Sequence, residues 1–95
     1  MPKLLTDDEV DEGLTKLKGW RKEGRFIAKD FRFGSFVDGI AFVNKVSKVA
    51  EELDHHPDIH VRYTEVGLRL QTHSEGGVTS RDFHLAKAID RSTEE

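Results

Sequence analysis

The fold is decided by residues 35–57, SFVDGIAFVNKVSKVAEELDHHP. Ser35 is a candidate N-cap, and apolar residues follow it at helical spacing. Pro57 cannot continue a helix and restrains His56 away from helical geometry. A long helix is therefore predicted over about Phe36–Leu53. Its apolar positions include Phe36, Val37, Ile40, Ala41, Val43, Val46, Val49, Ala50 and Leu53.

The apolar stripe of this helix is wider than one core-facing side needs. Two interpretations stay open. In one, the helix simply covers a sheet; in the other, part of the stripe is also buried against another subunit. We favour the second interpretation, which predicts a homodimer or a homotetramer.

Two half-buried strands are predicted after Pro57, because apolar and polar residues alternate there. The two strands are expected to form a hairpin that turns near Thr64-Glu65. The alternating apolar residues are Ile59, Val61 and Tyr63, then Val66, Leu68 and Leu70.

Upstream of the long helix, Thr6 and Glu9 have the spacing of a capping box for a first helix over about Thr6–Leu17. Gly13 weakens that prediction. Two strands are then expected over Trp20–Glu23 and Arg25–Phe33, joined by a tight turn at Glu23-Gly24.

A last helix is predicted over about Ser80–Arg91, with Thr79 as its cap. The order of elements is thus α-β-β-α-β-β-α. Because close strand pairs imply hairpins, the expected class is α+β: a four-stranded antiparallel sheet with three helices packed on one face. The other face is expected to be solvated or covered by a partner. A chain of 95 residues suits a single domain over residues 1–95.

Composition excludes several classes of protein. Charged residues make up 35% of the chain and no apolar run reaches the length of a membrane span, so no membrane role is expected. The N-terminus lacks an apolar h-region, so no secretory signal is expected. The net charge is −3 without a basic block, which disfavours nucleic-acid binding. There are no cysteines, which excludes disulfides and thiolate sites and fits a cytoplasmic location.

The five histidines are the candidate reactive groups, and three interpretations are open for them. A histidine at a helix C-terminus can simply complement the helix dipole. A zinc site could use three histidines, although Pro57 breaks helical ligation. The third interpretation is acid–base catalysis without a metal, since imidazole exchanges protons near neutral pH. The histidines are His55, His56, His60, His73 and His84.

Other polar positions also have alternatives. Asp82 lies three residues after Thr79, where it can bond back to the helix cap or can orient a histidine or a ligand. Glu51, four residues before His55, fits a solvated helix face. Trp20, the single tryptophan, fits the core.

The segment Ala50-Glu51-Glu52-Leu53-Asp54-His55-His56-Pro57 resembles the signature of the pterin-4a-carbinolamine dehydratases. The downstream spacing is similar to that family as well, and so is the opening of the chain. The resemblance covers nearly the whole sequence. The further matching segments are Leu5-Thr6, Gly19-Trp20, Tyr63-Thr64-Glu65-Val66, Leu70-Gln71-Thr72-His73, Gly76-Gly77-Val78-Thr79, Asp82 and Leu85-Ala86.

This resemblance implies an α+β fold and a dimer or tetramer. It implies loss of water from the 4a-hydroxytetrahydropterin that aromatic amino-acid hydroxylases leave, giving quinonoid dihydropterin and so recycling the pterin cofactor of those hydroxylases. No metal or cofactor is implied. The family's histidines fall on His55, His56 and His73, and further active-site residues on Glu51, Pro57, Asp82 and Trp20.

Our hypothesis from the resemblance is that His55 and His73 share the proton transfers while His56 holds the pterin. Asp82 would orient a histidine or the pterin ring, and Trp20 would wall the pocket. The competing class is a protein-interaction module, because some family members are partners of a transcription factor and degenerate relatives assist assembly of other proteins.

Overall fold

The computed structural model describes residues 2–93 and confirms the predicted order of elements. The helices are α1 (Asp7–Leu14), α2 (Phe36–Leu53) and α3 (Ser80–Thr93). The strands are β1 (Arg21–Glu23), β2 (Phe26–Arg32), β3 (Asp58–Arg62) and β4 (Glu65–Leu70). A short 3₁₀ turn, His73–Glu75, follows β4.

The four strands form one antiparallel sheet in the order β1-β2-β4-β3. Directly paired residues such as Ile27 and Leu70, or Phe31 and Val66, point to the same face, and the three helices cover that face. The predicted α+β class is confirmed. The core between helices and sheet contains Val10, Trp20, Ile27, Phe42, Val46, Val66, Leu68, Leu70, Val78, Leu85, Ala86 and Ile89.

The opposite face of the sheet carries charged side chains. Glu23 bonds Arg69 and Arg21 there, and these hydrogen bonds hold the pKa of Glu23 below its usual range. The face is therefore polar, in contrast to the helix-covered side. Within residues 2–93, none of the helices has the length and hydropathy needed to cross a membrane.

Helix α2 begins and ends where the sequence predicts. The Ser35 hydroxyl accepts the N–H of Asp38 at 3.1 Å, which satisfies one backbone donor of the first turn. The predicted apolar stripe omitted Phe42, yet this ring is buried and lies 4.5 Å from Phe31 and 5.1 Å from Phe33 between ring centres. Phe42 therefore anchors α2 on the sheet.

Helix α1 is shorter than predicted, because it ends at Leu14 and not at Leu17. The capping box is present: Thr6 N–H donates to Glu9 Oε1 at 2.8 Å, and Glu9 N–H donates to Thr6 Oγ1 at 3.1 Å. At the other end, the Thr15 hydroxyl and N–H both donate to the Glu12 carbonyl, which tightens the last turn.

Gly13 lets α1 approach α3, and its replacement by alanine is expected to destabilise the protein. A Cβ at Gly13 would lie 2.7 Å from Cζ of Phe83, so the ring must move. We expect a net loss of about 1–2 kcal/mol in the free energy of unfolding, because overpacking outweighs the gain in helix propensity. Urea unfolding measures this loss. Gly34→Ala, where the nearest atom is 4.0 Å away, is the control and should change little.

Candidate active site

The end of α2 separates the two adjacent histidines. Asp54 adopts the left-handed conformation, with φ 51° and ψ 43°. His55 N–H then donates to the Ala50 carbonyl at 3.0 Å, which closes a Schellman turn. The turn directs the His55 side chain into the protein, where it is 7% exposed, and leaves the His56 side chain at the surface.

Asp82, in the first turn of α3, is the buried centre of the site. Its Oδ1 lies 2.6 Å from Nε2 of His55. Its Oδ2 accepts both the Thr72 hydroxyl and the Thr79 N–H, each at 2.9 Å. The two interpretations that the sequence left open for Asp82 are therefore both realised, since one oxygen completes the helix cap and the other orients a histidine.

Each polar group in this cluster has a partner. The Thr79 hydroxyl lies 2.7 Å from the Thr72 hydroxyl and accepts the Arg81 N–H. Because Thr72 donates to Asp82, it receives the hydrogen of Thr79. A buried carboxylate is costly unless several donors compensate it, and three do so here. With the carboxylate as acceptor, His55 carries its hydrogen on Nε2, and Nδ1 remains for proton exchange.

His73 reaches the same place from β4. Thr72 pairs with Gly77 in an isolated bridge, and His73 opens the 3₁₀ turn between them. An open cavity of about 210 Å³ brings the three histidines together. The residues lining it are Asp54, His55, His56, Thr72, His73, Ser74 and Arg81.

His56 is paired at the rim of this cavity. Its Nε2 lies 2.6 Å from Oε1 of Glu51, with both side chains more than half exposed. Glu51 is therefore more than a solvated residue of α2, because its carboxylate is hydrogen-bonded to the second imidazole. Exposed pairs of this kind contribute little to stability.

Arg81 is a residue of the cavity that the sequence did not single out. Its Nη2 donates to the Asp54 carbonyl at 2.6 Å. Consecutive residues of α3, Arg81 and Asp82, thus contact consecutive residues at the end of α2, Asp54 and His55. The sequence signal that could have revealed Arg81 is its position directly before Asp82. That signal is weak, because arginine is common in surface helices.

Trp20 lies elsewhere. It is buried in the core, and its Nε1 donates to Oδ2 of Asp90 at 3.0 Å. Trp20 does not line the histidine cavity of its own chain, because the residues before β1 pack against the C-terminal half of α3. Pro57 is half-buried directly after His56 and does not line the cavity either.

The remaining histidines stand apart. His60 lies on the polar face of the sheet. His84 lines a separate cavity of about 140 Å³ that also reaches His55 and Arg81. Within residues 2–93, no three His, Asp or Glu side chains are grouped as metal ligands, so the zinc interpretation with His56, His60 and His73 finds no supporting geometry.

Comparison with known proteins identifies the family. Residues 3–92 match the family described as Pterin 4 alpha carbinolamine dehydratase. The chain belongs to this family. A protein of Roseiflexus castenholzii with the provisional name pterin-4-alpha-carbinolamine dehydratase is 48% identical over 90 residues, which cover 95% of this chain and 97% of the relative.

Two solved structures related to this dehydratase family have the same fold. The transcriptional coactivator/pterin dehydratase from Brucella melitensis is 35% identical, with a TM-score of 0.90 over 97% of this chain and 100% of that one. A pterin dehydratase-like protein identified as a RuBisCO assembly factor in the α-carboxysome is 26% identical, with a TM-score of 0.68 over 83% and 94%. Structures related to this chain are thus described by an enzyme activity and by interactions with other proteins.

Proposed function

We propose that this protein is a 4a-hydroxytetrahydropterin dehydratase that uses histidines for acid–base catalysis. The observation that supports the proposal best is the meeting of His55, His56 and His73 at one cavity, with His55 bound to the buried carboxylate of Asp82. Residues far apart in the chain supply groups that can both donate and accept protons.

The reaction needs two proton transfers, and the enzyme is restored when the base gives up its proton and the acid regains one through solvent. The bond between C4a and the hydroxyl oxygen breaks, and that oxygen leaves as water after it receives a proton. N5 loses its proton to a base, and the electron pair forms the double bond between N5 and C4a. One acid and one base suffice, each contributing about 10²–10⁴ in rate.

We assign these transfers to His55 and His73. Asp82 is a positioning residue, because it is fully buried and acts by fixing the tautomer and direction of His55. His56, with Glu51, would contact the pterin at the rim. The geometry of a single chain gives no support for Trp20 or Pro57 in pterin binding, and their roles stay predictions from the family resemblance.

Turnover of the purified protein tests this function. A 4a-hydroxytetrahydropterin is generated in the presence of the protein, and formation of the quinonoid dihydropterin is followed by stopped-flow absorbance. We expect a rate that rises with protein concentration. A rate equal to that of spontaneous dehydration would contradict the proposed dehydratase function. It would favour the second candidate, a protein-interaction or assembly module, which the likeness to the RuBisCO assembly factor supports.

Replacing Arg81 with glutamine is expected to loosen the corner that carries His55 and His56. The change removes the hydrogen bond to the Asp54 carbonyl, so we expect a loss of about 1 kcal/mol in the free energy of unfolding. Turnover should fall with a rise in KM, since the histidines would no longer be held in place. Arg81→Lys keeps one donor and should recover part of both losses; equal effects of the two variants would contradict a positioning role.

We also propose that the protein self-associates through the outer side of α2. Phe36 and Val37 are 49% and 73% exposed at the start of that helix, although both are strongly apolar. Val37→Glu is expected to reduce the oligomer to smaller species at micromolar concentration, measured by size-exclusion chromatography with light scattering. Lys45→Glu, an exposed residue of the same helix, is the control. If the oligomer persisted in Val37→Glu, the interface would lie on another surface.

The cellular setting remains a further part of the proposal. We propose action in the cytoplasm beside an aromatic amino-acid hydroxylase, which the family resemblance implies and with which the absence of cysteines is compatible.

A further inference from the structure

Another cavity lies at the corner where the end of α1 meets the C-terminal half of α3. Its volume is about 340 Å³. It is lined by Lys16, Leu17, Lys18, Lys87, Asp90 and Arg91. The sequence shows no basic block, but the fold gathers four cations from two distant segments. We call these four residues, Lys16, Lys18, Lys87 and Arg91, the basic corner.

Asp90 is the single acid among these lining residues, and its charge is already compensated. Its Oδ1 accepts Nζ of Lys29 at 3.1 Å, and its Oδ2 accepts Nε1 of Trp20 at 3.0 Å. None of the basic corner residues forms an ion pair with an acid of residues 2–93. The cations of the corner are therefore not neutralised by direct ion pairs with the acids that the structure describes.

Helix dipoles explain only part of this arrangement. Lys16 and Lys18 follow the C-terminus of α1, and Arg91 lies in the last turn of α3. A helix C-terminus carries about half a negative charge, so two of them offset roughly one of the four cations. Lys87 and Arg91 are also four residues apart on one helix, where like charges repel.

The rest of the chain carries a net charge opposite to that of the basic corner. Since the formal net charge is −3, the surface outside the basic corner is more negative than that. An extended polyanion such as nucleic acid would be repelled by the surroundings of the corner. A compact anion could approach it without meeting that surface, because clefts lined by one sign of charge concentrate the field.

We propose that the basic corner binds a small polyanion that carries at least two neighbouring phosphate groups. The cavity has the volume of a small-molecule site. Arginine and lysine are the side chains that bind phosphate oxygens, arginine through two parallel hydrogen bonds and lysine as a point charge. The site is distinct from the histidine cavity, with which it shares no lining residue.

Trp20 provides the measurement. It is the single tryptophan of the chain and is hydrogen-bonded to Asp90 in the cavity wall, so a bound anion should change its fluorescence. Tripolyphosphate and orthophosphate are titrated separately at low, constant ionic strength. Isothermal titration calorimetry repeats the titration, so that a spectroscopically silent complex is still detected. We expect saturable binding of tripolyphosphate, at least about tenfold tighter than that of orthophosphate.

Paired substitutions identify the site. Lys87→Gln with Arg91→Gln should weaken tripolyphosphate binding at least about tenfold, since two charged donors are removed. Lys45→Gln with Lys48→Gln, on exposed positions of α2, changes the net charge equally and should leave the affinity within about twofold. Both doubly substituted proteins should keep the thermal midpoint and any dehydratase turnover of the wild type.

Three results would overturn the proposal. One is the absence of saturable binding by either method. Another is an equal loss of affinity in the two doubly substituted proteins, which would show an effect of net charge alone. The third is tighter binding of a single-stranded oligonucleotide than of tripolyphosphate at the same salt concentration, which would indicate an extended surface. None of these results depends on whether the protein is a dehydratase.

Discussion

Replacing Asp82 with alanine is expected to cost about 3–5 kcal/mol of the free energy of unfolding and to remove nearly all dehydratase turnover. The carboxylate is fully buried and accepts hydrogen bonds from His55, Thr72 and the Thr79 N–H. Its removal leaves three buried polar groups without this partner, and breaking such a buried pair carries a penalty of this size. Urea unfolding measures the loss of stability.

Asp82→Asn separates orientation from stability. The amide keeps the volume and one acceptor, so we expect a smaller loss of stability, about 1–2 kcal/mol. Its NH₂ group would face Nε2 of His55 and favour the tautomer with hydrogen on Nδ1, so Nδ1 could no longer accept a proton from the substrate. Turnover should therefore fall at least about a hundredfold in a protein that still folds. Asp58→Asn, at an exposed position in β3, is the control, and wild-type turnover in Asp82→Asn would refute the positioning role.

The parts of the fold that were predicted correctly are those with local signals at both ends. Helix α2 has a capping serine before it and a proline after it, and its predicted bounds match the observed ones. Helix α1 had a start signal in its capping box but no comparable stop signal. Its last turn is tightened by the two hydrogen bonds from Thr15 to the Glu12 carbonyl.

Side-chain direction was the harder part of the site. The sequence did not show which of the adjacent histidines, His55 and His56, turns inward, because that depends on the left-handed conformation of Asp54. The double role of Asp82 also depends on three-dimensional packing, because only the fold places one carboxylate oxygen on the helix cap and the other on His55. Trp20 matched the family pattern by position, yet its indole contacts Asp90 and not the histidines.

The local clustering of positive charge could not be predicted from the sequence either. Lys16 and Lys18 are separated in the chain from Lys87 and Arg91 by all four strands, so no short window of sequence contains all four. Only the packing of α1 and α3 on the same face of the sheet brings them to one cavity. Net charge therefore described the average surface correctly and concealed a local excess of the opposite sign.

Alanine at His55 or at His73 is expected to lower kcat by about 10²–10⁴, because each removes one of the two groups that move protons. The expected effects on stability differ. His55 is buried against Asp82, so its loss should also destabilise the fold, whereas His73 is exposed and should leave the unfolding midpoint unchanged. His73→Ala is thus the cleaner test of catalysis. Stopped-flow turnover with purified variants measures both.

His60→Ala and His56→Ala complete the comparison. His60 lies on the polar face of the sheet, outside the histidine cavity, so its variant should retain wild-type turnover. His56→Ala should mainly raise KM, because we assign it to pterin binding at the rim. If His55→Ala, His56→Ala and His73→Ala all lowered kcat equally, the assigned division of roles would be wrong. The location of the active site would still be supported. Unchanged kcat in both His55→Ala and His73→Ala would remove these two histidines from the chemistry, because each is assigned one of the two proton transfers, at the departing oxygen and at N5.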